Sequence, residues 1–263
     1  MAYVRAVLLG LVILGFVLAM PLQWLVLRLL PVRRHEIPML FHRALCAAVG
    51  LRVRVSGVLP RNLPVLVIAN HVSWLDIPAL GSQAPTGFLA KREVGQWPLI
   101  GNFARLQGCV FVDRTRKRSI PQVNRQIASS LLQANALVIF PEATTGDGNR
   151  LMQFYSPHFQ AAIGAASDAA ARAILLQTVT IVYTHRNGLP YDCRTRPGIA
   201  WYGDMALLPH LWDILRGGPM DCRLTYGAAR RVNASDNRKQ LAAAARQSVR
   251  EMLADQRRGG SRL

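Results

Sequence analysis

From residue 51 onward, short apolar runs alternate with longer stretches of helical composition, and this alternation constrains the fold more than any other feature of the chain. The runs are rich in Val, Ile and aromatic residues. They predict strands over 51–56, 65–69, 87–90, 109–112, 136–140, 178–183, 198–202 and 222–226. Between them, helices are expected near 74–81, 98–106, 121–134, 156–173 and 205–216, with Pro121 suited to a first helical turn. Strand–helix–strand repetition of this kind builds an α/β domain, a single, largely parallel sheet covered by helices. A chain of 263 residues has room for one such domain and a short appendage. No internal repeat or low-complexity linker divides it.

Residues 6–27 carry no charged side chain. As a helix rising about 1.5 Å per residue they are long enough for the roughly 30 Å hydrocarbon core of a bilayer. Arg5 precedes the run, and Arg28, Arg33 and Arg34 follow it. That asymmetry predicts a catalytic domain on the cytoplasmic side of the membrane. Pro21 and Gln23 argue against a single straight span, and a re-entrant helix pair with residues 41–45 on its second helix is the alternative; a cleaved signal peptide is a third. Trp24 and Trp97 suit a membrane interface. At the other end, Leu241, Ala245, Val249 and Met252 or Leu253 recur at helical spacing, which predicts a covering helix over 235–256. A disordered basic tail is expected after it. The expected organisation is a membrane-anchoring helical segment over 1–50, a catalytic domain over 51–232, and a C-terminal helix and tail over 233–263.

The formal charge of +18 implies an anionic partner. The basic residues are scattered, with no zinc-finger spacing, RNP-like run or long basic helix, so a lipid bilayer fits better than nucleic acid. Cys46, Cys109, Cys193 and Cys222 form no Cys-x-x-Cys pair and read as buried free thiols in a reducing compartment. No metal site is suggested.

Three of the apolar runs stop on polar chemistry. The first, 65–69, is followed by Asn70, His71 and, five residues after the histidine, Asp76. An imidazole with a carboxylate partner is a general base that works near neutral pH. Five residues on a helix turn through about 140°, so the two side chains meet only if His71 lies on the loop before the helix. Ser73 is then a natural N-cap, and Asp76 sits at capping-box spacing from it. With no Gly-x-Ser-x-Gly elbow, the base serves a substrate hydroxyl. The second run ends at Asp113 and Arg114; arginine suits bidentate phosphate recognition, but taken alone this cluster reads as a solvated basic loop. The third ends in Pro141, Glu142, Ala143, Thr144 and Thr145, then Gly146-Asp147-Gly148, which is either an ordinary turn or a place where glycines permit close approach of a ligand to backbone N–H groups. Carboxyl ends of parallel strands are where such sheets bind ligands. His42, His158, His185 and His210 have no acidic partner at motif spacing and read as surface or satisfied core residues.

Asn-His-x4-Asp, Gly-x-Val-Phe-Val-Asp-Arg and Phe-Pro-Glu-x-Thr, in this order, resemble the first three blocks of the glycerolipid acyltransferase family, the PlsC-type 1-acyl-sn-glycerol-3-phosphate acyltransferases and their relatives. The similar region runs over residues 51–226. The resemblance implies acyl transfer from acyl-CoA or acyl-carrier protein to a lysolipid hydroxyl, with no cofactor beyond the donor. His71 would take the hydroxyl proton and Asp76 would hold the imidazole. Arg114, Glu142, Thr144 and Thr145 would meet the acceptor head group, with Lys91 as a further contact. The chain departs from the family pattern twice. Thr145 stands where the third block usually has arginine, and Thr178 where the fourth usually has proline. The run from Thr144 to Asn149, with Trp201-Tyr202-Gly203-Asp204-Met205 and Leu208-Pro209-His210-Leu211-Trp212, is similar to the lyso-ornithine lipid acyltransferase branch. That lipid has no phosphate, which agrees with the missing arginine. The alternative acceptor is 1-acylglycerol-3-phosphate. A hydrolase or transacylase, and a non-catalytic lipid-binding protein, are the remaining readings.

Overall fold

The computed structural model describes residues 1–30, 35–61, 63–113, 116–133, 136–168 and 173–259. Its centre is a sheet of strands β1 (Leu51–Ser56), β2 (Val65–Ala69), β3 (Thr86–Lys91), β4 (Val110–Val112), β5 (Ala136–Ile139), β6 (Leu175–Arg186), β7 (Leu189–Pro190) and β8 (Met220–Arg231). The spatial order is β1-β8-β6-β2-β5-β3-β4, with β7 paired to β6. Strands β6, β2, β5, β3 and β4 run parallel to one another. β8 turns back antiparallel to β6, and β1 runs parallel with β8 at the edge. The expected largely parallel α/β sheet is therefore present, with its direction reversed at one end.

β2 explains why the sheet needs cover on both faces. All five of its residues are buried, and its alternate side chains enter two different cores. Val65, Val67 and Ala69 join the core formed with α2 (Glu36–Val49), α3 (Asp76–Gly81) and α7 (Leu207–Arg216). Leu66 and Ile68 join the core formed with α5 (Ile120–Leu132), α6 (Gln160–Ala166) and α8 (Arg238–Gly259). A period of two, apolar at every position, is the pattern of a strand buried on both sides. On α8, Leu241, Ala245, Val249 and Leu253 form the buried stripe, so this helix does cover the sheet. Thr178 hydrogen-bonds Ser248 of α8 at 2.9 Å.

α1 (Ala2–Leu29) runs through Pro21 without a break and is, among the described residues, the one helix long and apolar enough to cross a membrane. Its buried residues are Leu9, Phe16 and Gln23, spaced seven apart, which makes one narrow seam. Along that seam it meets the domain repeatedly. Tyr3 packs edge-on against Trp212 of α7, and Arg5 donates to the Leu215 carbonyl at 3.4 Å. Phe16 stacks on Phe41 of α2 at 4.1 Å and lies edge-on to Phe103 of α4 (Ile100–Leu106). Gln23 donates to the Leu106 carbonyl at 3.5 Å. The other faces expose Val7, Leu11, Leu14, Leu18, Leu22 and Trp24. α2 ends at Gly50, whose φ of 78° is the left-handed cap that glycine adopts without strain.

Several expectations are corrected. Residues 198–202 form no strand: 196–198 make a 3-10 turn, and Ile199 and Ala200 are buried in a loop. The helix expected over 156–173 is a 3-10 turn at Pro157–Phe159 followed by α6, which stops at Ala166. α8 continues to Gly259, with Arg257 donating to two backbone carbonyls; the rest of the expected tail, 260–263, lies outside the described residues. Of the four thiols, Cys46 and Cys222 are buried, Cys109 is partly buried and Cys193 is exposed.

Candidate active site

The parallel register brings the carboxyl ends of β2, β5 and β3 to one edge of the sheet, and the sequence clusters lie there. β2 hands the chain to Asn70, which is tied to the backbone of β6: its side chain donates to the Ile181 carbonyl at 3.0 Å and accepts the Ile181 N–H at 2.8 Å. His71 is thus the first residue after a clamped strand end. Its ring stacks on Phe140, at the end of β5, with centroids 4.0 Å apart.

Asp76 is fully buried at the start of α3 and meets His71 across the loop, Nδ1 to Oδ2 at 2.8 Å. The same oxygen accepts the N–H groups of Val72 at 2.7 Å and Ser73 at 3.0 Å. The other oxygen, Oδ1, accepts the hydroxyl of Tyr183 on β6 at 2.7 Å. That many donors suit a carboxylate, which only accepts. Nδ1 then carries the imidazole proton, and Nε2 keeps its lone pair. The expected capping box is half formed. Asp76 reaches back to the Ser73 N–H, but the Ser73 hydroxyl is buried with no hydrogen-bond partner among the described residues, and the helix starts at Asp76. Tyr183 is the contact that sequence reading missed. Burial, then the charge of Asp76, holds its phenol well above the ordinary range, so it stays a donor.

Glu142 does not stand open to a ligand. It is buried, and its two oxygens accept the N–H of His71 at 2.8 Å and of Met152 at 2.9 Å. It pins the histidine backbone to the loop that follows β5. Burial pushes its carboxyl up, and the Met152 and His71 N–H groups pull it partway back. Ala143 takes a φ of 58°, the left-handed region that a side chain disfavours. Thr144 is exposed and Thr145 partly so. Lys91 is exposed at the end of β3, paired with Glu93 at 3.4 Å. Arg114 lies outside the described residues; its neighbour Asp113 pairs with Arg92 at 3.2 Å and Arg116 at 3.5 Å. His42 bonds Gln107, and His210 accepts the Trp74 indole N–H at 3.0 Å, so both are buried, partnered residues. Among the described residues, no three His, Cys, Asp or Glu side chains gather as metal ligands would.

Residues 51–182, from β1 into β6, match the model of the family described as Acyltransferase. The chain belongs to the acyltransferase family. This acyltransferase is 40% identical over 261 residues to the lyso-ornithine lipid O-acyltransferase of Rhizobium meliloti, covering 99% of this chain and 89% of that one. It is 38% identical to the enzyme of the same name from Brucella abortus, over 89% and 87% of the two chains. The 1-acyl-sn-glycerol-3-phosphate acyltransferase of Neisseria meningitidis is 32% identical over 81% and 79%. The fold of the acyltransferase matches the crystal structure of the 1-acyl-sn-glycerophosphate acyltransferase PlsC from Thermotoga maritima. The TM-score is 0.64 at 18% identity, covering 97% of this chain and 98% of that one.

Proposed function

We propose that this acyltransferase moves a fatty acyl group from an acyl thioester to the free hydroxyl of lyso-ornithine lipid. The observation that carries the mechanism is the His71–Asp76 contact, with the carboxylate held by Val72, Ser73 and Tyr183. Nε2 of His71 takes the acceptor hydroxyl proton as the oxygen attacks the thioester carbonyl. Asp76 stabilises the imidazolium that forms. Collapse of the tetrahedral oxyanion breaks the C–S bond, and the imidazolium returns its proton to the departing thiolate. The product is the diacylated lipid and a free thiol, of coenzyme A or of acyl-carrier protein. No cofactor or metal enters this scheme. What supports the acceptor is the similarity to lyso-ornithine lipid O-acyltransferases over most of the chain, and the uncharged Thr145 on the loop after β5.

The same enzyme works on a membrane, with the catalytic domain facing the cytoplasm. Contacts from Tyr3 to Gln23 span about 30 Å of helix, so a bilayer-crossing α1 would draw its domain into the hydrocarbon. A helix lying in one leaflet, apolar faces in lipid and seam on the domain, avoids that cost. The surrounding basic residues then meet anionic head groups, each contributing about 1 kcal/mol near the surface.

Purified protein is to be given labelled acyl thioester with either lyso-ornithine lipid or 1-acylglycerol-3-phosphate. Diacylated product with the first acceptor is expected, and product with the second alone would sink the assignment. His71→Ala is expected to abolish transfer while keeping the fold; turnover in that variant would remove the base from the mechanism.

A further inference from the structure

A second polar cluster lies beside the base. The loop after β5 turns at Asp147–Asn149, and residues 192–199 fold over it. Asn149 donates to the Cys193 carbonyl at 2.9 Å and accepts Nη1 of Arg196 at 2.8 Å. From α8, Arg257 donates to the carbonyls of Gly148 at 2.9 Å and Asn149 at 3.0 Å. A Cβ on Gly148 would lie 3.1 and 3.2 Å from Cγ and Cδ of Arg196 and 3.2 Å from Val72, so the arginine stem runs past the residue next to His71. Both flanking segments are tied to that pair: Gly146 N–H donates to the His71 carbonyl and Trp201 N–H to that of Val72.

Arg150 and Arg257 lie in the field of Asp147, whose oxygens accept from Asn149 and Arg150 amides, while the Asp192 carboxylate is turned onto Arg194 and Thr195 of its own turn. Burial, then the charge of Arg196, pulls Arg257 below its ordinary value. Arg196 makes one hydrogen bond through Nη1, and its Nε is buried with no partner among the described residues. A buried guanidinium N–H without an acceptor is a costly arrangement unless something else supplies one. The Nε–Nη2 edge is a planar fork of the kind that carboxylates and phosphates fill with two parallel hydrogen bonds.

We propose that Arg196 binds the anionic group of the acceptor's head group, a carboxylate or a phosphate, through its Nε–Nη2 edge. This rests on the lysolipid reading and assigns that acceptor a residue. The free hydroxyl would be at Nε2 of His71 and the anion at Arg196, so the acceptor would be gripped at two points on either side of Val72.

The test compares lyso-ornithine lipid with its carboxyl methyl ester in the full-length protein. Wild type is expected to show a KM about tenfold higher for the ester, the ratio set by about 1.4 kcal/mol. Arg196→Gln is expected to raise KM for the acid by a similar factor and to lose the acid–ester difference, with the donor KM unmoved. Asn149→Ala removes the arginine's support but leaves its charge, and is expected to keep the discrimination; a purely structural role predicts that it mimics Arg196→Gln. Equal KM for acid and ester in wild type, or full discrimination in Arg196→Gln, overturns the proposal. If the glutamine variant does not fold, Arg196→Lys carries the test: charge without the fork leaves partial discrimination, and discrimination equal to wild type overturns the fork. Wild-type activity on 1-acylglycerol-3-phosphate alone sinks the acceptor reading, not this one. Arg196→Gln must then raise KM for that phosphate, and an unchanged KM overturns the proposal.

Discussion

Replacing Tyr183 by Phe tests how the base is held. The ring stays, so packing in the core is preserved; what goes is one hydroxyl that donates to Oδ1 of Asp76 at 2.7 Å. Oδ2 keeps its bonds to His71, Val72 and Ser73, but Oδ1 is left in a fully buried site with no replacement from solvent. Hydrogen bonds to charged groups contribute about 1.5–3 kcal/mol, and the loss is expected near 2 kcal/mol. For a chain of this size each kcal/mol moves Tm by about 2–4 °C, so melting falls by about 4–8 °C. If half of the loss reaches the transition state, where Asp76 must balance an imidazolium, kcat falls about fivefold. The assay is urea unfolding in detergent, followed by tryptophan fluorescence, on wild type, Tyr183→Phe, Asp76→Asn and the double variant. The cycle is expected to return a coupling of about 2 kcal/mol between the two side chains. Additivity within about 0.5 kcal/mol would refute the reasoning, because the hydroxyl would then stabilise something other than the carboxylate.

Two further outcomes follow from the loop after β5. Ala143→Gly relieves a left-handed backbone at φ 58° and is expected to stabilise the protein by about 1 kcal/mol with transfer activity retained, as measured by the same unfolding assay; no gain would mean that the loop relaxes around the alanine. Glu142 has its carboxyl raised by burial, so the folded state holds a proton more tightly than the unfolded chain does. Between the ordinary carboxylate value and the raised one, its contribution to stability therefore falls as pH rises. Unfolding free energies across the mildly acidic range should show that slope in wild type and not in Glu142→Gln, and identical slopes would remove Glu142 as its source.

The strands and the pairing of His71 with Asp76 were legible because their signals are local. Val65 to Ala69 is apolar at every position, and a histidine at a strand exit with a carboxylate five residues on needs only a loop between them. What escaped depends on partners far along the chain. Tyr183 reads as one more aromatic in an apolar strand, and nothing near it announces a carboxylate from position 76. The resemblance implies a head-group contact for Glu142, and nothing near it in the chain announces its bonds to the His71 and Met152 backbone. Residues 198–202 carry an apolar run that reads as a strand; burial of Ile199 and Ala200 satisfies that composition in a loop. Strand direction leaves no trace in composition, which is why the reversal of β8 and β1 appears only in the register. α1 looks like a span because its apolar residues surround it, and only the seven-residue seam of Leu9, Phe16 and Gln23 reveals the partner.

The bond from Tyr183 to Asp76 joins residues 107 positions apart in the chain. A ribosome adding about 5–20 residues per second needs roughly 5–20 s to make that stretch. For that interval the carboxylate beside His71 lacks its last support. Chain order thus leaves the carboxylate half held until β6 has paired beside β2.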